Sequence, residues 1–352
     1  MIIKSVLLTT GKTCLAPKRY APNREVFEKF AYLYDKEPGE LFEQIQASVD
    51  DASEEEELSS EEKEDDEIRP GDRLALALVV DQGDSGNDKR LEAYLYDSGT
   101  DAFYIHHDVF VHGEPTSLTV FDRSEDPLAF ISTADGNISG YNVFVANHFL
   151  PDLLIEAHEA PITSLESNAT TLLSTDGAVL KGWDIETQKS AFASSKLGTV
   201  SAISINDEDI MAASGKAVYR FDRREGAFSQ VLATDASVTA IKHGSGSIAA
   251  GTETGTVYFS RGGAAPVKES LHQGRINTVD ILKDKYVAAT STDETLSLFD
   301  TQHRELVLRK EMGLETVTIS MARDSETLYV FPKDDGELDL GSFEEALAKT
   351  HE

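Results

Sequence analysis

The stretch Ile162-Thr163-Ser164-Leu165 returns in similar form at almost equal intervals along the chain. Later copies read Val200-Ser201-Ala202-Ile203, Val238-Thr239-Ala240-Ile241, Ile276-Asn277-Thr278-Val279 and Thr316-Val317-Thr318-Ile319. Their first positions are separated by 38, 38, 38 and 40 residues. A fixed period of this length indicates a repeat architecture in which each repeat is one structural unit.

A second pattern, an aromatic residue followed by a polar one, keeps the same period. It occurs at Trp183-Asp184, Phe221-Asp222, Phe259-Ser260 and Phe299-Asp300, again 38, 38 and 40 residues apart. Earlier copies of the two patterns are found at Ser117-Leu118-Thr119-Val120, Tyr141-Asn142 and Tyr96-Asp97. The repeat therefore occupies most of the chain.

Each repeat contains short β-branched or alternating runs that are broken by Gly, Asp, Ser and Thr. Such runs are typical of several short strands joined by hairpins. Asp135, Asp176 and Asp293 each lie six or seven residues before the aromatic position, where a tight turn between two strands is needed. Counting from Ile3, the pattern predicts seven innermost strands, which begin at Ile3, Ser117, Ile162, Val200, Val238, Ile276 and Thr316. We therefore predict an all-β, seven-bladed propeller.

The first repeat is interrupted by a long segment. Residues 1–8 carry the innermost strand of the first blade, but the next strand-like run begins only near Leu74. We predict that residues 9–72 form an insertion, that residues 73–343 complete the propeller, and that residues 344–352 form a short tail. Connections longer than about 15 residues are usually functional or disordered.

Within the insertion, Asn23 is placed to cap an amphipathic helix over about residues 24–48. Phe27 and Phe30 lie on its apolar side. Two interpretations stay open, because this side either docks on the flank of the propeller or binds a partner.

A strongly acidic run follows this helix. The segment from Asp50 to Glu67 holds 12 carboxylates and one lysine, in a chain with 63 acidic and 32 basic residues and a net charge of −31. We predict that this run is disordered. It is either a solvating segment, a mimic of nucleic acid that occupies a basic protein surface, or a phosphorylation switch. The candidate partner-binding residues are Glu54, Glu55, Glu56, Glu57, Glu61, Glu62, Asp65 and Asp66.

Composition narrows the function classes further. The net charge argues against broad attraction to nucleic acid, which needs clustered Lys and Arg, but leaves local contacts with RNA open. No apolar run reaches the length of a transmembrane helix, and the N-terminus does not look like a secretory signal. Cys14 is the one cysteine, which favours a reducing compartment.

Several residues resemble the WD-repeat family, in which a blade runs from a Gly-His-like start to a terminal Trp-Asp. His158 and His272 begin stretches that look like this start, and Lys181-Gly182-Trp183-Asp184 looks like the ending. The resemblance implies a structural role between blades for Trp183. We assign the other repeat residues, Asp184, Asp135, Asp176, Asp293, His158 and His272, to the same structural class.

The first blades are similar to the periodic tryptophan protein 1 family of WD-repeat proteins. The similarity rests on the order of Leu91–Asp97, Phe103–Asp108 and Pro17-Lys18-Arg19-Tyr20, with Tyr-x-His-His-Asp as the specific motif. This chain resembles a shortened member that lacks the family's basic segments. The resemblance implies a non-enzymatic scaffold of the nucleolus and nucleus in large ribosomal subunit biogenesis, with ribosome assembly factors, ribosomal proteins and, through local contacts, pre-rRNA as partners.

No pattern in the chain indicates catalysis, a cofactor, a small-molecule substrate or a membrane. His106, His107 and Asp108 suggest metal ligands, but neighbours on a strand point to opposite faces, which favours a packing role. Arg275, directly before an inner strand, is either an ordinary solvated arginine or a candidate partner-binding residue. The alternative functions are a chromatin module that binds histones and a substrate adaptor of a ubiquitin ligase.

Overall fold

The computed structural model of the chain describes residues 1–9, 17–34, 36–54, 67–83, 86–121, 127–194, 197–207, 209–315, 318–321 and 327–349. The chain is mostly β, with 56% strand and 9% helix. Seven sheets follow one another as the blades of a propeller. The predicted all-β class and the predicted seven blades are therefore confirmed.

The first two blades each have four strands, which follow one another from the centre of the ring outwards. Blade 1 contains β1 (Ile2–Thr9), β3 (Arg73–Gly83), β4 (Gly86–Asp97) and β5 (Ala102–Phe110). Blade 2 contains β6 (Pro115–Phe121), β7 (Leu128–Thr133), β8 (Asn137–Asn142) and β10 (Leu153–Glu156). A short parallel pair outside the blades is formed by β2 (Lys18–Arg19) and β9 (Val145–Ala146).

The remaining blades follow in chain order, and blades 3 to 6 again have four antiparallel strands. Blade 3 contains β11 (Ser164–Ser167), β12 (Thr171–Thr175), β13 (Leu180–Asp184) and β14 (Lys189–Ala193). Blade 4 contains β15 (Val200–Asn206), β16 (Asp209–Ser214), β17 (Ala217–Asp222) and β18 (Ala227–Ala233). Blade 5 contains β19 (Val238–His243), β20 (Ser247–Thr252), β21 (Thr256–Arg261) and β22 (Val267–Ser270). Blade 6 contains β23 (Ile276–Leu282), β24 (Tyr286–Ser291), β25 (Thr295–Asp300) and β26 (Glu305–Glu311).

Blade 7 has three strands, β27 (Ser320–Met321), β28 (Leu328–Pro332) and β29 (Leu338–Ser342), followed by the helix α3 (Glu344–Ala348). Phe343, directly before α3, stacks on Tyr329 with ring centroids 4.4 Å apart. Phe343 and Leu347 share an apolar cluster with Tyr286 and Leu298 of blade 6, so this segment packs in the layer between blades 6 and 7.

The structure explains why a polar residue recurs at the second position of the repeated stretch. The pairing of the first two strands shifts register at this position in blades 4, 5 and 6, so the residue lies in a β-bulge. Ser201 donates to the carbonyl of Val238 and Thr239 to that of Ile276, both at 2.7 Å, and Asn277 donates to the carbonyl of Glu315 at 2.7 Å. The repeat thus encodes a hydrogen bond from one blade to the next.

Apolar layers between adjacent blades form the core. In blades 2 to 6 the aromatic position of the repeat lies on the third strand and is buried, as Tyr141, Trp183, Phe221, Phe259 and Phe299 show. Between blades 2 and 3, Trp183 packs with Phe130 and Ile155. These side chains are large enough to fill the wedge between two twisted sheets, which explains why the repeat keeps an aromatic residue when the tryptophan is lost.

The ring closes between blade 7 and blade 1. Val330 and Leu338 pack on Leu7 and on the alanines of β3. The amide of Leu7 donates to Ser320 Oγ at 3.1 Å, and the amide of Leu338 donates to the hydroxyl of Tyr94 at 3.4 Å. Side-chain packing, together with these two bonds, therefore joins the ends of the chain.

The described residues between β1 and β3 include two α-helices, which pack on the outer edge of blade 2. The first, α1 (Arg24–Phe30), is capped by Asn23, whose Oδ1 accepts the amide of Glu25 at 3.0 Å, and a 3-10 turn (Ala31–Tyr34) follows it. The second, α2 (Pro38–Glu54), is longer and ends within the acidic run. Their apolar faces share a cluster with Leu150 of blade 2. Among the described residues, no helix has the length and apolar character needed to cross a membrane.

Candidate functional site

The strands of each blade run alternately up and down, so the connecting loops form two opposite faces of the ring. We define the upper face as the loops that lead into the innermost strands, together with the turns between the second and third strands. We call the lower face the loops between first and second strands and between third and fourth strands. Most of the repeat residues predicted from the sequence lie beneath or on the upper face.

A chain of hydrogen bonds supports the upper face at blade 3. His158 Nε2 lies 2.8 Å from Ser174 Oγ, and the indole N–H of Trp183 donates to the same oxygen at 2.9 Å. His158 Nδ1 faces the carboxylate of Asp176 at 3.4 Å. Burial lowers the pKa of His158, and the Asp176 carboxylate opposes that shift. This network fixes the loop before β11 to the turn between β12 and β13.

Blade 6 has a related network that works without a tryptophan. His272 Nε2 lies 2.7 Å from Ser297 Oγ, and His272 Nδ1 lies 3.1 Å from Asp293. Burial opposes ionisation of Asp293, but the Gln273 amide, the Thr295 hydroxyl and His272 outweigh it and lower the Asp293 pKa to about 2. Phe299 offers no N–H, and the serine that bonds the histidine in this blade lies on the third strand, whereas Ser174 lies on the second.

The other two predicted repeat residues stabilise single turns. Asp184 accepts the amide of Thr187 at 2.7 Å and its hydroxyl at 2.8 Å, just after β13. Asp135 accepts from Thr133 and from the amide group of Asn137 in the turn between β7 and β8. Ser174 and Ser297 were not predicted from the sequence as partners of the two histidines, although a serine inside a buried, mostly apolar strand indicates a hydrogen-bonding role.

The exposed surface of the upper face is acidic. Carboxylates outnumber cations on its described loops and lie at Glu114, Asp135, Glu159, Asp176, Asp235, Glu253, Asp293, Glu294, Glu315, Asp334, Asp335 and Glu337. The cations on the same described loops are Lys216, Arg275 and Lys333. An excess of carboxylates on one face of a rigid ring creates a negative potential that attracts positively charged segments.

Arg275 is exposed on this face, in the loop before β23. Its amide donates to Thr292 Oγ1 at 3.0 Å, which holds the backbone of the loop in place. Glu253 of the neighbouring blade lies close enough for Arg275 to contribute to lowering the Glu253 pKa, after the hydrogen bonds from Ser237 that are the main cause. Arg275 is therefore one positive group within an acidic surface.

Phe27 and Phe30 are not available to a partner, which corrects their assignment as candidate binding residues. They are 0% and 3% exposed and pack with Tyr20, Leu41 and Leu150. The apolar side of the helices faces the propeller because blade 2 offers its own apolar edge there. Of the acidic candidates, Glu54 is the last residue of α2, and Glu55, Glu56, Glu57, Glu61, Glu62, Asp65 and Asp66 lie outside the described residues.

His106 and His107 do not point to opposite faces, which corrects the expectation from strand alternation. A register shift between β4 and β5 introduces a bulge at this point, and the two Nδ1 atoms lie 2.9 Å apart. His107 Nε2 donates to the carbonyl of Val143 at 2.7 Å, so His107 Nδ1 accepts a hydrogen bond from His106 Nδ1. Burial lowers the pKa of His107 to about 4, and the proximity of His106 adds to the shift.

Acid is expected to destabilise the protein through His107. Between pH 6.5 and pH 4 the unfolded chain binds a proton at this residue that the folded chain does not, so the free energy of unfolding falls as pH falls. The amide of the His107→Gln variant can still donate to Val143. Between pH 7 and pH 5, the free energy of unfolding of this variant should fall by about 1 to 2 kcal/mol less than that of the wild type. Urea unfolding at both pH values measures this difference, and equal losses in the two proteins would contradict the assignment.

No protein-family model and no curated protein matches this chain. Among the described residues, no group of three or more His, Cys, Asp or Glu side chains is placed to hold a metal ion. The geometry of the ring is therefore the basis for assigning a function. A β-propeller is typically a non-catalytic scaffold, and its loop-lined faces are suited to binding other proteins.

Proposed function

We propose that this chain is a non-catalytic WD-repeat scaffold whose acidic upper face binds basic segments of other proteins. The observation that carries the proposal is the excess of carboxylates over cations on the described loops of that face. Charge complementarity of this kind increases association rates and selects partners of opposite charge. The hydrogen-bonded networks at His158 and His272 hold the loops rigid, so little ordering is needed on binding.

The setting that we propose is assembly of the large ribosomal subunit in the nucleolus or nucleus. The resemblance of the first blades to the periodic tryptophan protein 1 family supports this setting. Ribosome assembly factors and ribosomal proteins are then the partners, with local contacts to pre-rRNA. In the same proposal residues 9–72 act as an insertion in the first blade: its helices brace blade 2, and its acidic run adds a further surface for basic partners.

An acidic propeller face is equally suited to the basic tails of histones, so a chromatin-binding module is the second candidate. A substrate adaptor of a ubiquitin ligase is the third. The three functions differ in what should co-purify with the protein. Tagged protein isolated from its native cells at moderate salt should be enriched in large-subunit precursor rRNA and assembly factors under the first proposal. Nucleosomes without pre-rRNA, or ligase subunits, would replace it with the second or the third.

Charge reversal on the upper face tests the binding surface itself. Glu159, Glu294 and Glu315 are exposed carboxylates of three different loops, and changing all three to lysine should weaken binding of the purified basic partner about tenfold. The loss should be larger at low salt, because exposed charges are screened as ionic strength rises. Isothermal titration calorimetry at two salt concentrations measures both effects.

The matched control variant changes the net charge by the same amount, but at positions outside the upper face. Glu225 and Glu305 lie on the lower side of the ring and Glu345 lies on α3, and all three are exposed. Their triple lysine variant should bind within about twofold of the wild type. Equal losses in both triple variants would show that net charge, rather than the upper face, governs binding. A deletion of residues 55–66, which leaves α2 intact, separately measures the share of the acidic run.

A further inference from the structure

A cavity of about 460 Å³ opens on the lower face between blades 5 and 6. Phe259 and Val267 of blade 5 provide apolar wall, and Thr301 of blade 6 is a further lining residue. Three cations also line it: Arg261 at the end of β21, and Lys283 and Lys285 in the turn between β23 and β24. Its volume lies within the range of small-ligand pockets.

The carboxylates beside this cavity are already engaged by the protein. Asp300 accepts from Lys285 and from His303, both at 2.9 Å, and from the amides of Gln302 and His303. Asp284 accepts the hydroxyl of Ser247 at 2.6 Å, a bond that joins blade 6 to blade 5. These contacts hold both acidic groups in fixed positions and leave them little capacity to bind a ligand cation.

Two of the cations that line the cavity, Lys285 and Arg261, differ in how they are held. Lys285 is held between Asp300 and the hydroxyl of Tyr286, which it reaches at 2.8 Å, so its ammonium group is fixed at the wall. Arg261 is exposed, and within the described part of the chain its guanidinium has no hydrogen-bond or ion-pair partner. The guanidinium fork presents parallel N–H groups that match the oxygens of a phosphate or carboxylate.

We propose that this cavity binds an anionic side chain of a peptide segment, with phosphoserine, phosphothreonine or glutamate as the sources of the charged group. The charged head would pair with Arg261 and Lys283, and the aliphatic stem would pack on Phe259 and Val267. The site lies on the face opposite to the acidic loops, so one molecule would bind a basic partner and an acidic partner at the same time. The proposal does not depend on the identity of the upper-face partner.

The long-range field of the chain, with its net charge of −31, does not oppose such a site strongly. Exposed charges are screened over about 8 Å at physiological ionic strength, so the groups in the cavity dominate the local potential. Arg261 and Lys283 belong to different blades, and an anion between them would join blade 5 to blade 6. Binding is therefore expected to be salt-dependent and to require both residues.

Fluorescence anisotropy of the full chain with three labelled short peptides tests the proposal. The peptides share one flanking sequence and differ at the central residue, which is phosphoserine, glutamate or alanine. We expect saturable binding of the phosphoserine peptide, and Arg261→Glu should weaken it about tenfold or more. Lys283→Glu should have a similar effect. If the glutamate peptide binds as tightly as the phosphoserine peptide, the charged group that the cavity recognises is a carboxylate, and the proposed site is still supported.

Arg275→Glu is the matched control, because it reverses the same charge at an exposed position on the upper face. It should change peptide affinity less than about twofold. Fluorescence of Trp183, the one tryptophan of the chain, checks that each variant is folded. Three results would overturn the proposal: no saturable binding, alanine peptide bound as tightly as the charged peptides, or equal weakening by Arg275→Glu and Arg261→Glu.

Discussion

Replacing Trp183 with alanine is expected to lower the free energy of unfolding by about 3 to 5 kcal/mol. The side chain is only 6% exposed and packs between blades 2 and 3 with Phe130 and Ile155. Removing it leaves a cavity in that layer and takes the indole donor away from Ser174. Because the variant lacks tryptophan fluorescence, circular dichroism in a urea titration is the appropriate measurement.

Trp183→Phe separates the two causes of this loss. Phenylalanine keeps most of the packing, as Phe299 does at the equivalent position of blade 6, but it cannot donate to Ser174. We expect the free energy of unfolding of the phenylalanine variant to be about 1 to 2 kcal/mol lower than that of the wild type. A loss in Trp183→Ala no larger than in Trp183→Phe would show that the layer between blades 2 and 3 contributes little to stability.

Replacing Gly136 with alanine should lower the free energy of unfolding by about 3 kcal/mol. Gly136 occupies the turn between β7 and β8 with φ +86°, and an added Cβ would lie 2.0 Å from the carbonyl oxygen of His158. The loop that begins at His158 would have to move, although its backbone is held by bonds from the Ala157 and His158 amides to Gly136 at 3.1 and 2.9 Å. Thermal or urea unfolding measures the loss.

Gly336 provides the control for backbone strain alone. It occupies the corresponding turn of blade 7 with φ +89°, but nothing lies within 4 Å of an added Cβ. Gly336→Ala should therefore lose only about 1 kcal/mol, the usual penalty for a side chain in the left-handed region. If the two alanine variants were equally destabilised, the contact between Gly136 and the His158 loop would not be a source of stability.

The two candidate surfaces, the upper face and the cavity on the lower face, carry opposite charge. Carboxylates dominate the described upper loops, whereas the cavity between blades 5 and 6 places Arg261 and Lys283 on the lower face. Binding at either face would not block the other, because the blades separate the two sets of loops. Such an arrangement is suited to a scaffold that joins an acidic partner to a basic one.

Most of the architecture could be predicted from the sequence because it depends on short-range order. The alternation of apolar and polar residues identified the strands, turn residues such as Asp135 marked hairpins, and the 38-residue period gave seven innermost strands. The Asn23 cap is also local, since it needs only the next two residues. These features are set by residues that are close to one another in the chain.

Contacts between distant residues were decided only by the tertiary structure. The bulge that turns His106 towards His107 depends on how β5 pairs with β4, and the burial of Phe27 and Phe30 depends on an apolar edge of blade 2 more than 100 residues away. The cavity at Arg261 needs two blades side by side. Periodicity specifies which residues form strands, but the neighbours of a side chain are set by packing across the closed ring, which no local pattern records.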